Sequence, residues 1–207
     1  MAKLFMNDLN HAGADQGVMS YPSFTTYIKT LESLLKRKGE WLLRESRDLA
    51  ELCLSYSKAL GLTPQGRKSL VMAAYFKNLG AIYLSDYLLE QEFLDHGEMM
   101  ASLNIWFAES TQLARNAGLP EVAVILEQYH LRKVPEHKLA RVFQVLNTWV
   151  ACQQSKAWGQ SMTDREARIV LEQRACLNWS DPNIVRHFVQ HYSRRRVQAR
   201  KLKSTYA

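Results

Sequence analysis

Histidines and cysteines are the side chains of this sequence that most readily bind metals or act as nucleophiles. His187 and His191 are four residues apart, a spacing that places two imidazoles on one face of a helix and is common in zinc sites. They fall in the exposed last predicted helix, and we interpret their spacing as incidental. Cys53, Cys152 and Cys176 form no CxxC pair, which argues against a zinc ribbon or a disulfide framework and favours a reducing cytoplasm.

The motifs of common phosphate-binding and hydrolytic enzymes are missing from the sequence. Gly97, Gly118 and Gly159 stand singly and form no glycine-rich phosphate loop, and there is no GxSxG nucleophile motif. No pairing of a cysteine nucleophile with a histidine base can be assembled either. We therefore predict no catalytic residue, no cofactor and no metal ligand from these motifs.

The positive charge of the chain is concentrated near its end. The 207 residues have a formal net charge of +7, and six Arg and Lys residues fall between positions 194 and 203. A tail of this kind is more often a solvated helix end than a reader of nucleic acid, so nucleic-acid binding is the less favoured interpretation. No apolar run approaches the roughly 20 residues of a membrane span, and the first segment lacks the apolar stretch of a signal peptide. We expect a cytoplasmic protein without membrane insertion.

Apolar residues recur at helical spacing along the chain, and no segment alternates as a strand does. The pattern predicts an all-α protein with a single compact helical domain. Helix starts are indicated by capping residues and by prolines at first helical positions: Ser23, Thr63 with Pro64, Thr163 with Glu166, and Pro182. We expect the first helix to bury a face made of Tyr27, Ile28, Leu31, Leu34 and Leu35.

The chain divides into three parts by composition. Residues 1–20 are polar and contain several turn formers, which predicts a flexible N-terminal segment. Residues 21–190 have the apolar content of the helical domain, and residues 191–207 form a basic helix end or tail. No internal repeat or low-complexity linker separates further domains.

Four segments carry a resemblance to a known family through their order and spacing. In chain order they read LLRESRDLAELCLSYSKALGLTPQGRKSL, AAYFKNLGAIYLSDYLL, LARVFQVLNTW and SMTDREARIVLEQRACLNWSDPNIVRHFV. Together they resemble the HD-GYP phosphodiesterases of the HD superfamily, over roughly residues 30 to 188. The resemblance implies the helical HD-domain fold and a relation to enzymes that cleave cyclic di-GMP with two or three divalent metals.

The metal-binding positions of that family are degenerate in this chain. Glu45 stands at the first histidine, Lys77 and Asn78 stand at the His-Asp pair, and Ala81 replaces the lysine that follows. The later ligand positions fall at Ile105, Tyr129, His130 and Asn147, and the Gly-Tyr-Pro loop is deleted between Arg132 and Leu139. Only His130 keeps a residue type of the family's ligands. An ammonium repels a divalent cation and isoleucine offers no lone pair, so metal-dependent hydrolysis is not expected.

Two interpretations of the replaced residues remain open at this stage. Lys77 and Asn78 are either ordinary polar residues at the rim of an apolar helix, or Lys77 pairs with Glu45 and the pair joins helices as the metal does in the family. We favour the ion pair slightly. His130 is interpreted as a hydrogen-bonded histidine of the core or its rim rather than as a lone metal ligand.

These features lead to two function hypotheses of different classes. The first is a catalytically inactive HD-GYP-like regulatory module that binds a signalling protein, such as a diguanylate cyclase domain, or a second copy of itself. The second is a non-hydrolysing receptor for a nucleotide or another phosphate ligand, held in the former metal pocket by Lys77, His130 and Arg132. A metal-dependent phosphodiesterase and a nucleic-acid binder are the less favoured alternatives.

Overall fold

The structure is a computed structural model, and it describes residues 23–90, 96–156 and 159–205. Helices follow one another through this part of the chain, and the one β-type pairing described there is an isolated bridge between Lys156 and Gly159. The α-helices, in chain order, are α1 Phe24–Lys38, α2 Glu40–Ala59, α3 Pro64–Leu79, α4 Asp86–Glu90, α5 His96–Asn116, α6 Pro120–Gln128, α7 Lys138–Gln153, α8 Asp164–Cys176 and α9 Pro182–Thr205. A 3-10 turn, Gly80–Tyr83, follows α3. The prediction of an all-α fold is confirmed.

The helix ends follow from local chemistry that the sequence shows. The hydroxyls of Ser23 and Thr63 accept hydrogen bonds from the first turns of α1 and α3. Thr163 and Glu166 form a complete capping box at the start of α8. Gly61 has a φ of +62°, a left-handed conformation that a residue without Cβ adopts at no steric cost, and it separates α2 from α3. These predicted boundaries are confirmed.

Helix α3 lies at the centre of the domain. Its side chains from Leu70 to Leu79 are all buried, and it packs against α1, α2, α5 and α6. A helix that is apolar on all sides needs neighbours on all sides, which explains its central place. Helices α7, α8 and α9 complete the single core. In α1, Leu34 is 40% exposed, so the prediction that it belongs to the buried face is wrong.

Two of the predicted parts of the chain lie partly outside this description. The segment 1–20, predicted to be flexible, lies outside the described residues. The backbone of α9 runs as a helix to Thr205, while the side chains from residue 194 onward are not described. No helix in the described ranges combines the length and the apolar character needed to cross a membrane.

Candidate functional site

Two antiparallel neighbours, α2 and α3, bring a carboxylate and an ammonium together inside the protein. Glu45 of α2 is 1% exposed, and Lys77 near the end of α3 is 6% exposed. The Nζ atom of Lys77 lies 3.2 Å from Oε2 of Glu45. The two residues that the resemblance places around one metal are therefore an ion pair, and the alternative of Lys77 as an ordinary residue at the rim does not hold.

A second lysine reaches the same carboxylate from the segment between α7 and α8. The Nζ atom of Lys156 donates to Oε1 of Glu45 at 2.9 Å and lies 5.7 Å from the ring centre of Trp41. Each carboxylate oxygen of Glu45 thus has its own lysine. We call Glu45, Lys77 and Lys156 the charge triad, and it carries one positive charge in excess.

Asn78 holds the carboxylate of the triad from the third side. Its Nδ2 donates to the Oγ of Ser46 at 2.9 Å, to the carbonyl of Leu42 at 3.2 Å and to Oε2 of Glu45 at 3.3 Å. The side chain is fully buried, and its Oδ1 has no donor within hydrogen-bond distance in the described residues. Asn78 therefore acts as a donor toward α2, a role that an aspartate at this position could not fill.

The backbone at Lys77 is fixed by helix α5. The indole Nε1 of Trp106 and the hydroxyl of Ser110 both donate to the carbonyl oxygen of Lys77, at 2.6 and 2.8 Å. Ser110 also accepts from the amide of Gly80 at 3.0 Å. A Cβ on Gly80 would overlap the backbone oxygen of Trp106, so only glycine allows the end of α3 to approach α5 this closely.

Burial and charge act in opposite senses on the two buried members of the triad. Burial raises the pKa of Glu45, but the charges of Lys77 and Lys156 outweigh it and lower that pKa to about 2. For Lys77, burial lowers the pKa and Glu45 raises it, while Lys156 lowers it further, with a result of about 8. The triad thus keeps Glu45 ionised, but the ammonium of Lys77 is less stable than in water because it is buried and, to a lesser degree, because it faces a second cation.

The triad forms one wall of a cavity of about 240 Å³. Tyr129 and His130 at the end of α6, Asn147 of α7, and Trp106 and Phe107 of α5 line its other sides. Six of the residues that the resemblance places around the metals line this one cavity: Glu45, Lys77, Asn78, Tyr129, His130 and Asn147. The exception among those positions is Ile105. The Oδ1 of Asn147, like that of Asn78, is buried without a hydrogen-bond donor among the described residues.

His130 is held by one hydrogen bond and by ring stacking, and its environment favours the neutral imidazole. Burial lowers its pKa, and a hydrogen bond to the carbonyl of Leu126 raises it only in part. Because that carbonyl can only accept, the Nδ1 atom, 3.2 Å away, must carry the proton. The ring stacks on Phe107 with 4.4 Å between centroids. His130 is thus a hydrogen-bonded histidine at the edge of the core, as the sequence suggests, and its Nε2 is an acceptor.

Two of the residues singled out in the sequence lie away from the cavity. Ile105 is 52% exposed, because each helical residue turns about 100° and the residues of α5 that face the cavity are its neighbours Trp106 and Phe107. Arg132 does not line the cavity, and its guanidinium lies 5.2 Å from the ring centre of Trp179. The placement of these two residues at the pocket is corrected accordingly.

Two cations of the cavity were missed in the sequence. Lys156 lies in a connection between helices, and no motif marks it. Arg174 of α8 also lines the cavity, and its Nε donates to the hydroxyl of Ser180 at 3.2 Å. Arg174 follows the buried Ala167 and Leu171 at positions i+7 and i+3, so its place on the inward face of α8 could have been read from the helical period.

The charges of the cavity do not fit the divalent metals of the HD-GYP family. Both oxygens of Glu45 are paired with lysines, and the nearby asparagine and tyrosine are neutral. In the residues that the structure describes, no group of three or more His, Cys, Asp or Glu side chains could hold a metal ion. An added cation would meet the ammonium groups of Lys77 and Lys156 before it met a ligand.

The lining of the cavity favours anions instead. Lys77, Lys156 and Arg174 are cationic, and Glu45 is the one acidic residue that lines it among the described residues, which leaves two positive charges in excess. Burial lowers the pKa of Arg174, but a guanidinium stays protonated in proteins.

Comparison of the chain with protein-family models, with curated proteins and with solved structures finds no match.

Proposed function

We propose that this chain is a catalytically silent HD-GYP-like module that works by binding, with the former metal pocket as a non-hydrolysing receptor for a small anion. The observation that carries the proposal is the charge of the cavity, where Lys77, Lys156 and Arg174 face the single carboxylate of Glu45. An anion in a partly buried space interacts more strongly with such cations than it does in water. The quoted motifs, and the meeting of their residues at one cavity, support the relation to the family.

Catalytic silence follows from the chemistry of the replaced residues. Family enzymes generate a hydroxide on metals, which requires neutral imidazoles and free carboxylates around each ion. Here Lys77 occupies the position of the histidine in the His-Asp pair, and its ammonium is bonded to Glu45. Asn78 contributes an amide that donates toward α2. The pocket can therefore bind a phosphate group but has no means of activating water against it.

Titration calorimetry and thermal unfolding test the receptor function. The ligand panel is inorganic phosphate, simple nucleotides and cyclic di-GMP, each at low salt. A ligand present at a hundred times its dissociation constant should stabilise the fold by about 2.7 kcal/mol. For a domain of this size, that is a rise of about 5 to 11 °C in the unfolding midpoint. No hydrolysis product should form, with or without added manganese.

Variants of the cavity cations distinguish specific binding from a general effect of charge. Arg174→Gln and Lys156→Met should each abolish or strongly weaken the stabilisation. The matched control is Arg168→Gln on the same helix, since Arg168 is exposed and pairs with Glu172. Equal loss in all three variants, or a panel in which no anion binds the unsubstituted protein, would contradict the receptor proposal.

A second candidate is the binding of a protein partner, and one surface feature favours it. Ile82 and Tyr83 stand side by side on the 3-10 turn with 40% and 60% exposure. Adjacent exposed apolar side chains are frequent at protein interfaces. The partner would be a signalling protein such as a diguanylate cyclase domain, or a second copy of the chain. Tyr83→Ser should weaken capture or self-association, while Leu177→Ser, also at an exposed apolar residue, should not.

A further inference from the structure

The anion cavity adjoins a second, larger space on the protein surface. This outer groove has a volume of about 500 Å³ and lies along α5 and α6. Phe107 and His130 line both the cavity and the groove. The edge of their stacked rings is therefore the boundary that a ligand would cross if it occupied both spaces.

The two spaces differ in charge. The cavity has two positive charges in excess, as described above. In the groove, Arg115 pairs with Glu127 at 2.8 Å, and Glu109 leaves one negative charge in excess among the described residues. An anionic group is therefore attracted to the cavity and repelled by the groove. A ligand that occupies both spaces must have its negative charge at one end.

The polar groups of the groove match hydroxyls. Asn104 and Gln112 present side-chain amides on exposed positions of α5, with the Nε2 of Gln112 donating to Asn116 at 2.9 Å, and the carboxylate of Glu109 accepts. At the boundary, the protonated Nδ1 of His130 leaves Nε2 as an acceptor, and a hydroxyl group of a ligand can donate to it.

The volumes also favour a ligand in two parts. Complete binding sites for small molecules measure about 300 to 1,000 Å³. The cavity alone, at about 240 Å³, is below that range, and the groove adds about 500 Å³ beside it. The cavity thus has the size of a binding site for the head of a ligand, with the body outside it.

From this arrangement we propose that the cavity and the groove bind one ligand, a small hydroxylated organic phosphate. Its phosphate contacts Lys156 and Arg174 in the cavity, and its hydroxyl-bearing body lies in the groove past His130. The inference rests on the proposed anion-receptor function and adds the class of the anion to it.

Titration calorimetry with a ligand and its two halves tests this inference on the full chain. The probes are glucose 6-phosphate, inorganic phosphate and glucose. Glucose 6-phosphate should bind at least about tenfold more tightly than phosphate, the worth of one or two added hydrogen bonds. Glucose alone should give no measurable heat.

Variants separate the contribution of each space. Asn104→Ala with Gln112→Ala should reduce the affinity for glucose 6-phosphate to that for phosphate, with phosphate binding unchanged. Arg174→Gln should weaken both ligands. Gln173→Ala, an exposed glutamine on α8, is the matched control and should change neither.

The failure of this inference and the failure of the receptor function have different signatures. Equal affinities for phosphate and glucose 6-phosphate would overturn the two-part ligand and leave the receptor intact. If no anion of either panel binds, the receptor function itself is wrong, and this inference is wrong with it.

Discussion

The replacement Glu45→Gln removes the negative charge of the triad while it keeps the shape of the side chain. Lys77 and Lys156 then share a neutral amide whose single oxygen can accept from one of them. Lys77 is 6% exposed, so its ammonium has little contact with bulk water to replace the lost carboxylate. Because the volume of the side chain is conserved, no cavity is created, and the effect measures the lost charge together with the lost hydrogen-bond acceptor.

The size of the effect follows from burial. Removal of one partner of a buried ion pair costs about 3 to 5 kcal/mol, because the other charge is left uncompensated. A protein of this size has a total stability of about 5 to 15 kcal/mol, so the loss is a large fraction of it. With about 2 to 4 °C per kcal/mol, the unfolding midpoint should fall by about 6 to 20 °C.

Urea unfolding followed by circular dichroism at pH 7 measures this loss. Glu172→Gln is the matched control, because it breaks the exposed pair of Glu172 with Arg168, and such pairs contribute about 0.5 kcal/mol or less. The double variant Glu45→Gln with Lys77→Met should recover part of the stability, since it removes both buried charges. A loss for Glu45→Gln as small as that of the control would refute the view that the triad holds the helices together.

Three further predictions concern the same region. Lys77→His with Asn78→Asp introduces the His-Asp pair of the HD-GYP enzymes and should lower the midpoint of thermal unfolding without creating phosphodiesterase activity, since Asp cannot donate toward α2 and adds a carboxylate beside Glu45. An unchanged midpoint would count against this prediction. The pKa of Lys77 is about 8 in the folded protein and about 10.5 in the unfolded chain, so between these pH values the unfolded chain binds more protons than the folded one. The free energy of unfolding of the unsubstituted protein, relative to that of Lys77→Met, should therefore rise from about pH 8 to about pH 10.5. A difference in urea midpoints that does not change with pH would contradict this. Gly80→Ala, at the start of the 3-10 turn, should destabilise the protein by about 1 to 3 kcal/mol through overlap with Trp106. Gly66→Ala, in the first turn of α3, meets only ordinary contacts and should be near neutral in the same urea titration.

Local chemistry made most helix boundaries predictable from the sequence. The caps at Ser23, Thr63 and Thr163 depend on residues within one turn, and the structure has them as expected. The burial of individual side chains was harder to predict, because it depends on which helix packs against each of them. Leu34 fits the helical period of α1 but is 40% exposed, since no described element covers that part of the helix fully.

The residues of the candidate site also differ in how far they could be predicted from the sequence. The pairing of Glu45 with Lys77 was expected because the resemblance to HD-GYP enzymes places both positions around one metal, and their Oε2 and Nζ atoms are 3.2 Å apart. Ile105 lay in a helix where the motif match had no fixed residue, and an error of one position turned it outward. Lys156 reaches the site from a connection between helices, and nothing in the sequence near it indicates that its partner lies 111 positions away.

The excess of cations is the feature of the site that stability does not explain. One lysine is enough to neutralise Glu45, and Lys156 lowers the pKa of Lys77, so the second lysine makes the first cation less stable. Buried ion pairs can often be replaced by apolar residues without loss of stability, and an added cation next to such a pair contributes still less. A bound anion offsets the excess, because it adds a negative charge to a cavity lined by Lys77, Lys156 and Arg174. The Lys156→Met variant tests the role in binding: if Lys156 serves a ligand, the substitution should abolish anion binding while circular dichroism shows the fold intact at the temperature of the assay.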